Sequence, residues 1–234
     1  MKVGIIQSSF IPWRGFFDFI ASVDVFVFLD DVQFTTRDWR NRNRIKTPRG
    51  GEWLTVPVRH SRGPQRICDT LVDQAQDWRA KHLGTWQANY ARAPFFADVR
   101  EILAAMPARG TTTISTLNQE LIRAVCGYLE IATPLRLSTE FPAAGNRSER
   151  LVNLVRAVGG HGYLSGPSAD AYLDRELFAK AGIRLEYKSY DYPAYPQLWG
   201  PFDGAVSVLD LIANCGPGAG ALMRSTTPNR IIVP

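Results

Sequence analysis

The sequence predicts an α/β protein: an open, mainly parallel, Rossmann-like sheet that carries a β-hairpin and a helical insertion over about residues 78–130. Three observations predict it. The chain opens on a strand–helix–strand pattern, its middle is helical, and strands and helices alternate again from Leu135 onward.

Lys2 to Ile6 is a short apolar strand, Pro12 stands where the first helical position favours proline, and Trp13 to Ser22 reads as a helix. Val25 to Leu29 is continuously apolar, which suits a strand buried on both faces, and the right-handed crossover rule sets it parallel to the first. Arg42 to Lys46 and Trp53 to Val58 are strand-like and flank the turn-forming Thr47 to Gly51, which predicts a hairpin. Helices follow at Trp78 to Arg92, Phe95 to Met106 and Thr113 to Leu129. In the last of these Ile114, Leu117, Leu121, Val125 and Leu129 share one face. A strand is expected at Leu135 to Ser138, a helix at Ser148 to Val158, a strand at Gly162 to Ser165, a helix at Asp174 to Ala181 and a strand at Ile183 to Lys188. Val206 to Asn214 makes a final amphipathic helix ended by Gly216 and Pro217, and residues 225–234 read as a loosely tied tail. No repeat or composition break divides residues 1–234, so one domain is expected.

With 234 residues the chain can bury a core without disulfides, and Cys68, Cys126 and Cys215 are scattered and odd in number. A reducing compartment is expected, with no structural metal. The longest apolar runs are far shorter than the about 20 residues that cross a bilayer. Met1 to Gln7 lacks the long apolar region of a signal peptide, and a cytoplasmic address follows as the expectation. Formal net charge is +5, but Thr36 to Arg66 alone holds nine basic residues (Arg37, Arg40, Arg42, Arg44, Lys46, Arg49, Arg59, Arg62, Arg66) against Asp38 and Glu52. Basicity is therefore local, and it suggests a surface facing anions.

In an open parallel sheet, ligands bind beyond the carboxyl ends of the strands. Gln7, Ser8 and Ser9 follow the first strand; Asp30, Asp31 and Gln33 follow the second. The paired carboxylates can share a proton, hold a cation or accept a proton from an amine, although Asp31 would equally cap a turn. On a strand, Arg40, Arg42 and Arg44 would make a cationic row suited to phosphate, with Asn41 and Asn43 on the other face; a charged edge strand would look the same. Trp78, His82 and Trp86 share a helix face, so His82 is either a base or a satisfied core residue, and the neighbouring Lys81 points elsewhere, toward an anion. His60 and His161 lie in loop sequence, and no metal-binding spacing joins the histidines. Gly166 to Ala169 is a small-residue turn after a strand, and Tyr187 to Trp199 packs five aromatics into a candidate platform for a sugar or base. Glycine-rich dinucleotide, Walker and nucleophile-elbow motifs are missing, which disfavours those enzyme classes. Cys215 at a helix C-terminus is a poor nucleophile candidate.

Four segments, Gln7 to Phe17 (QSSFIPWRGFF), Phe28 to Phe34 (FLDDVQF), Asp38 to Pro48 (DWRNRNRIKTP) and Trp53 to Val58 (WLTVPV), resemble the WbqC-like family. Trp78, Lys81, His82, Asn89 to Tyr90, Tyr163 to Pro167, Tyr195 to Gln197 and Ser207 to Gly216 extend the resemblance over about residues 2–223. It departs at Phe10, where the family often has tyrosine, at Ser8 and Ser9, and at the glycine-rich Gly159 to Gly162.

The resemblance implies a bacterial origin, a link to O-antigen or other surface-polysaccharide genes, and glycine transfer. Trp13, Asn89, Ser165, Tyr195 and Gln197 join the candidate binding residues through it. The expected function is amide formation: a glycyl, aminoacyl or acyl group moves from an activated donor, with aminoacyl-tRNA among the candidates, to a small-molecule amine such as an amino sugar. Gln7, Asp30, Asp31 and His82 would be catalytic; Ser8, Gln33, Arg40, Asn41, Arg42, Asn43, Arg44 and Lys81 would bind substrate. No cofactor is expected. The competing readings are a nucleotide-dependent ligase or nucleotidyltransferase, and a non-catalytic module that holds a nucleotide-sugar or tRNA.

Overall fold

The computed structural model describes every residue except 62, 108, 109 and 111, so Arg62 of the basic segment lies outside the described residues. The chain runs β1 (Lys2–Ile6), α1 (Arg14–Ile20), β2 (Val25–Phe28), β3 (Arg42–Thr47), β4 (Gly50–Thr55), α2 (Trp78–Tyr90), α3 (Phe96–Ala104) and α4 (Ile114–Tyr128). It continues through β5 (Leu135–Leu137), α5 (Arg147–Ala157), β6 (Gly162–Ser165), α6 (Arg175–Lys180), β7 (Arg184–Tyr187), α7 (Val208–Cys215) and β8 (Arg230–Val233).

The main sheet has six strands in the order β5-β2-β1-β6-β7-β8, all parallel except the β7–β8 pair. From β1 the chain moves outward to β2 and β5, then returns across β1 to add β6 and β7 on the other side. The strand order therefore reverses between β1 and β6, which is where an open α/β sheet leaves a crevice.

Strand alternation sorts the side chains onto two faces. Phe26, Phe28 and Leu164 turn toward α1, the hairpin, α2 to α4 and α7, and these make one apolar cluster. Val3, Ile5, Val27, Tyr163, Leu185 and Tyr187 turn the other way, toward α5 and α6. The helical insertion thus packs on the same face as α1. Phe16, Phe19, Phe26 and Phe28 meet edge to face with centroids 5.0–6.2 Å apart, and full burial of each ring contributes about 1.5–3 kcal/mol. Gly4 permits this approach, since a Cβ there would lie 2.5 Å from the Phe19 ring.

Three local readings are corrected. Pro12 precedes the cap rather than opening α1, because Trp13 keeps an extended backbone at the helix N-cap. Gly50 and Gly51 belong to β4 and pair with Thr47 and Lys46, so the turn is only Pro48 and Arg49; Gly50 takes a φ of +101° that suits glycine. The C-terminal tail is not loose, because Arg230–Val233 pairs antiparallel with β7 and covers its edge.

Candidate functional site

A cavity of about 1010 Å³ opens beyond the carboxyl ends of β1 and β6, at the point where the strand order reverses. Its wall takes Gln7, Ser9 and Trp13 from the segment after β1, Ser165 to Ala169 from the segment after β6, and Tyr190 and Tyr192 from beyond β7. Arg40 from the turn ahead of the hairpin, Asn43 of β3 and Arg147 at the start of α5 also line it.

The segment after β1 is fixed from behind. Asn43 donates its side-chain amide to the carbonyls of Phe10 (3.0 Å) and Ile11 (2.8 Å), which explains an asparagine inside a strand. Those bonds hold Ile11 at a φ of +35°, a conformation a β-branched residue adopts only when its surroundings impose it. Asp30 accepts from the backbone N–H of Ser8 (2.7 Å) and from the Ser115 hydroxyl, and Asn118 donates to the Ser8 hydroxyl (3.2 Å). Gly15 leaves room for the Trp13 ring, which a Cβ would meet at 2.4 Å.

Arg14 is the least expected member of the wall. It is only 5% exposed, yet its Nη1 donates to two backbone carbonyls, Pro193 (2.8 Å) and Leu222 (2.9 Å), and its Cζ lies 4.7 Å from the centre of the Tyr192 ring. No carboxylate lies within ion-pair distance of it among the described residues. Burial pulls its pKa below the ordinary arginine value. Arg40, also buried, donates to the carbonyl of Ser8 (3.0 Å) and meets Asp38 only at 3.7 Å; burial lowers its pKa too. Tyr192 is held by its hydroxyl, which donates to Asp18 (2.9 Å), and Asp18 is paired with the buried Lys188 at 2.6 Å.

Of the residues singled out in the sequence, Gln7, Trp13, Arg40, Asn43 and Ser165 meet at this cavity. The others lie elsewhere. Asp31 accepts from Ser138 (2.7 Å) and pairs with Arg150. His82 donates from Nε2 to the carbonyl of Thr55 (3.0 Å) and packs against Phe10 and Trp78; burial pushes its pKa down to about 4. Lys81 and Gln33 are exposed, Asn41 donates to the carbonyl of Val56 (2.8 Å), and Asn89 donates to that of Thr85 (2.9 Å). Tyr195 and Gln197 donate to the buried carboxylate of Asp210 at 2.8 and 2.7 Å, and Tyr90 joins them at 2.7 Å.

The row of three arginines is not formed, because β3 starts at Arg42 and Arg40 turns inward ahead of it. Arg42 stacks on Trp53 at 4.2 Å and Arg44 pairs with Asp203 at 3.3 Å. Arg14, Arg147 and the paired use of Tyr190 and Tyr192 were not legible as site residues. The aromatic density of Tyr187 to Trp199 was their one signal, and Arg14 was hidden inside an apolar helix start.

The WbqC-like protein family matches residues 7–221, and the chain is a member of that family. It is 46% identical over 226 residues to the uncharacterised protein Rv1507c of Mycobacterium tuberculosis H37Rv, covering 95% of this chain and 97% of that one. No solved structure matches it. Among the described residues no helix is long and apolar enough to cross a membrane, and no group of three or more His, Cys, Asp or Glu side chains is placed to hold a metal ion.

Proposed function

We propose that the protein forms an amide, moving a glycyl or related aminoacyl or acyl group from an activated donor to an amine, and that donor and acceptor meet in the cavity between β1 and β6. The observation that carries this reading is the make-up of the wall: neutral donors (Gln7, Ser9, Ser165) stand beside buried arginines and aromatic rings at the sheet's crossover point. In the transfer, the amine nitrogen attacks the acyl carbon and a C–N bond forms. The acyl–oxygen or acyl–sulfur bond of the donor breaks, and the nitrogen's proton leaves with the departing atom. Gln7 and the two hydroxyls supply donors for the tetrahedral oxyanion, and the arginines hold an anionic carrier. Asp30 acts by positioning, since its carboxylate fixes the backbone of Ser8 next to Gln7.

The test offers glycyl-tRNA, a glycyl-adenylate and an acyl-CoA as donors, with amino sugars as acceptors, and follows products by mass spectrometry. Gain of a glycyl or acyl group on the amine is the expected outcome. Gln7→Ala lowers turnover by about 10²-fold, the size of effect when one oxyanion donor is removed. ATP consumption coupled to product would transfer the assignment to a ligase, and unchanged turnover in Gln7→Ala and Ser165→Ala would contradict the placement.

A further inference from the structure

We propose that the cavity binds the diphosphate of a nucleotide-type ligand, with Arg14 as the buried anchor for the phosphates and the rings of Trp13, Tyr190 and Tyr192 beside the base. This deepens the transfer reading, resting on its choice of cavity, by naming a chemical class for one of the two substrates.

Charge is the first argument. The charged side chains in the cavity wall are three arginines, Arg14, Arg40 and Arg147. The Arg147 side chain makes no hydrogen bond or ion pair with any described residue, and its backbone is held at a φ of +49° at the start of α5. A cation taken out of water needs a partner, and among the described residues Arg14 is compensated only by two carbonyls and the faces of Tyr192, Tyr195 and Phe202. Its Nε has no acceptor among the described residues. An anion entering the cavity would supply the missing charge, and the planar guanidinium fork matches phosphate oxygens.

The second argument is the aromatic wall, which a free phosphate would not use. The Trp13 ring lies 5.2 Å from Tyr190 and 5.7 Å from Tyr192, and both tyrosines are continuous with the Arg14 site through the Tyr192 ring. The Tyr190 hydroxyl has no hydrogen-bond partner among the described residues and borders Gly166, where a Cβ would stand 3.8 Å from it. A cavity of about 1010 Å³ holds a base, a ribose and two phosphates with space for a further group.

Titration calorimetry with uridine, UDP, ADP and inorganic pyrophosphate tests this on the intact protein. The nucleoside diphosphates should bind roughly 10- to 100-fold more tightly than uridine, the usual worth of charge-assisted hydrogen bonds, and more tightly than pyrophosphate. Arg14→Gln, which keeps a donor for the two carbonyls, and the exposed Arg147→Ala should each weaken UDP by about 10-fold, whereas Lys180→Ala on α6, outside the cavity wall, should not. Equal binding of uridine and UDP, no binding of any nucleoside diphosphate at millimolar concentration, or full affinity in both arginine variants overturns the proposal. A UDP-amino sugar, ATP and coenzyme A then separate the sources of that chemistry, since each carries a nucleotide diphosphate and the tightest names the substrate. The two readings fail separately. Transfer from a phosphate-free glycyl thioester with no nucleotide bound defeats only this inference, and nucleotide binding without amide formation defeats only the transfer.

Discussion

His82 donates from Nε2 to a backbone carbonyl, so its proton sits there and Nδ1 is left buried without a partner among the described residues. With its pKa pushed to about 4 from an ordinary 6.5, the folded state keeps the ring neutral. Above pH 6.5 both folded and unfolded chains carry it uncharged and nothing is lost. As pH falls from 6.5 to about 4 only the unfolded chain takes up the proton, so stability drops by about 3 kcal/mol and then levels off. Urea titrations of the wild type and His82→Gln should therefore converge in slope above pH 6.5 and diverge below it; parallel profiles would show that the imidazole is not buried as described. Asp210 gives a second test at this scale. Tyr90, Tyr195 and Gln197 all donate to its buried carboxylate, and Tyr195→Phe removes one donor, at a cost of about 1–3 kcal/mol in denaturant unfolding. Sequence could mark Tyr195, Gln197 and His82 as unusual, but it could not distinguish a ligand contact from an internal one. Their partners lie 13 to 27 residues away or more along the chain, where no periodicity reaches.

The elements were legible where a pattern repeats over many residues. The apolar face of α4 follows from a period of 3.6, and β1 and β2 from short continuous apolar runs. Boundaries set by single interactions were not: the Gly50–Thr47 pairing moved β4 forward, and the asparagines of β3 became hooks for a distant loop. Two substitutions probe how that loop is held. Gly15→Ala improves helix propensity by about 1 kcal/mol, yet its Cβ meets the Trp13 ring at 2.4 Å and must displace it. Stability should stay within about 1 kcal/mol of the wild type, and any ligand that stacks on Trp13 should bind more weakly; unchanged binding would remove Trp13 from the site. Asn43→Ala frees the carbonyls of Phe10 and Ile11 and should cost about 1–3 kcal/mol, read as a lower midpoint in urea.

At the scale of the whole molecule, the order β5-β2-β1-β6-β7-β8 is the decisive feature, because it alone locates the crevice. The sequence predicted a parallel sheet and directed attention to the carboxyl ends of β1 and β2. The reversal lies between β1 and β6, so the site includes the segment after β6 and leaves Asp31 outside its wall. Which strand neighbours which is settled by long-range packing on two faces, and that information is not local. β8 closes the sheet at its far edge, and deleting residues 228–234 should lower the melting temperature and expose β7 to aggregation, as light scattering would report.

The central claim is that this cavity is the ligand site. Ser168 lies on its exposed rim and its side chain makes no hydrogen bond with any described residue, so Ser168→Trp narrows the opening without touching the core. The most direct measurement is the ligand-induced shift in melting temperature of the wild type and Ser168→Trp across glycyl-tRNA, a glycyl-adenylate analogue, acyl-CoA, ATP and a nucleotide amino sugar. A ligand at 100 times its dissociation constant stabilises by about 2.7 kcal/mol, equivalent to roughly 5–10 °C in a chain of this size. A shift of that size in the wild type, lost in Ser168→Trp while its unliganded melting temperature is unchanged, is the result predicted; an equal shift in both proteins would contradict the account.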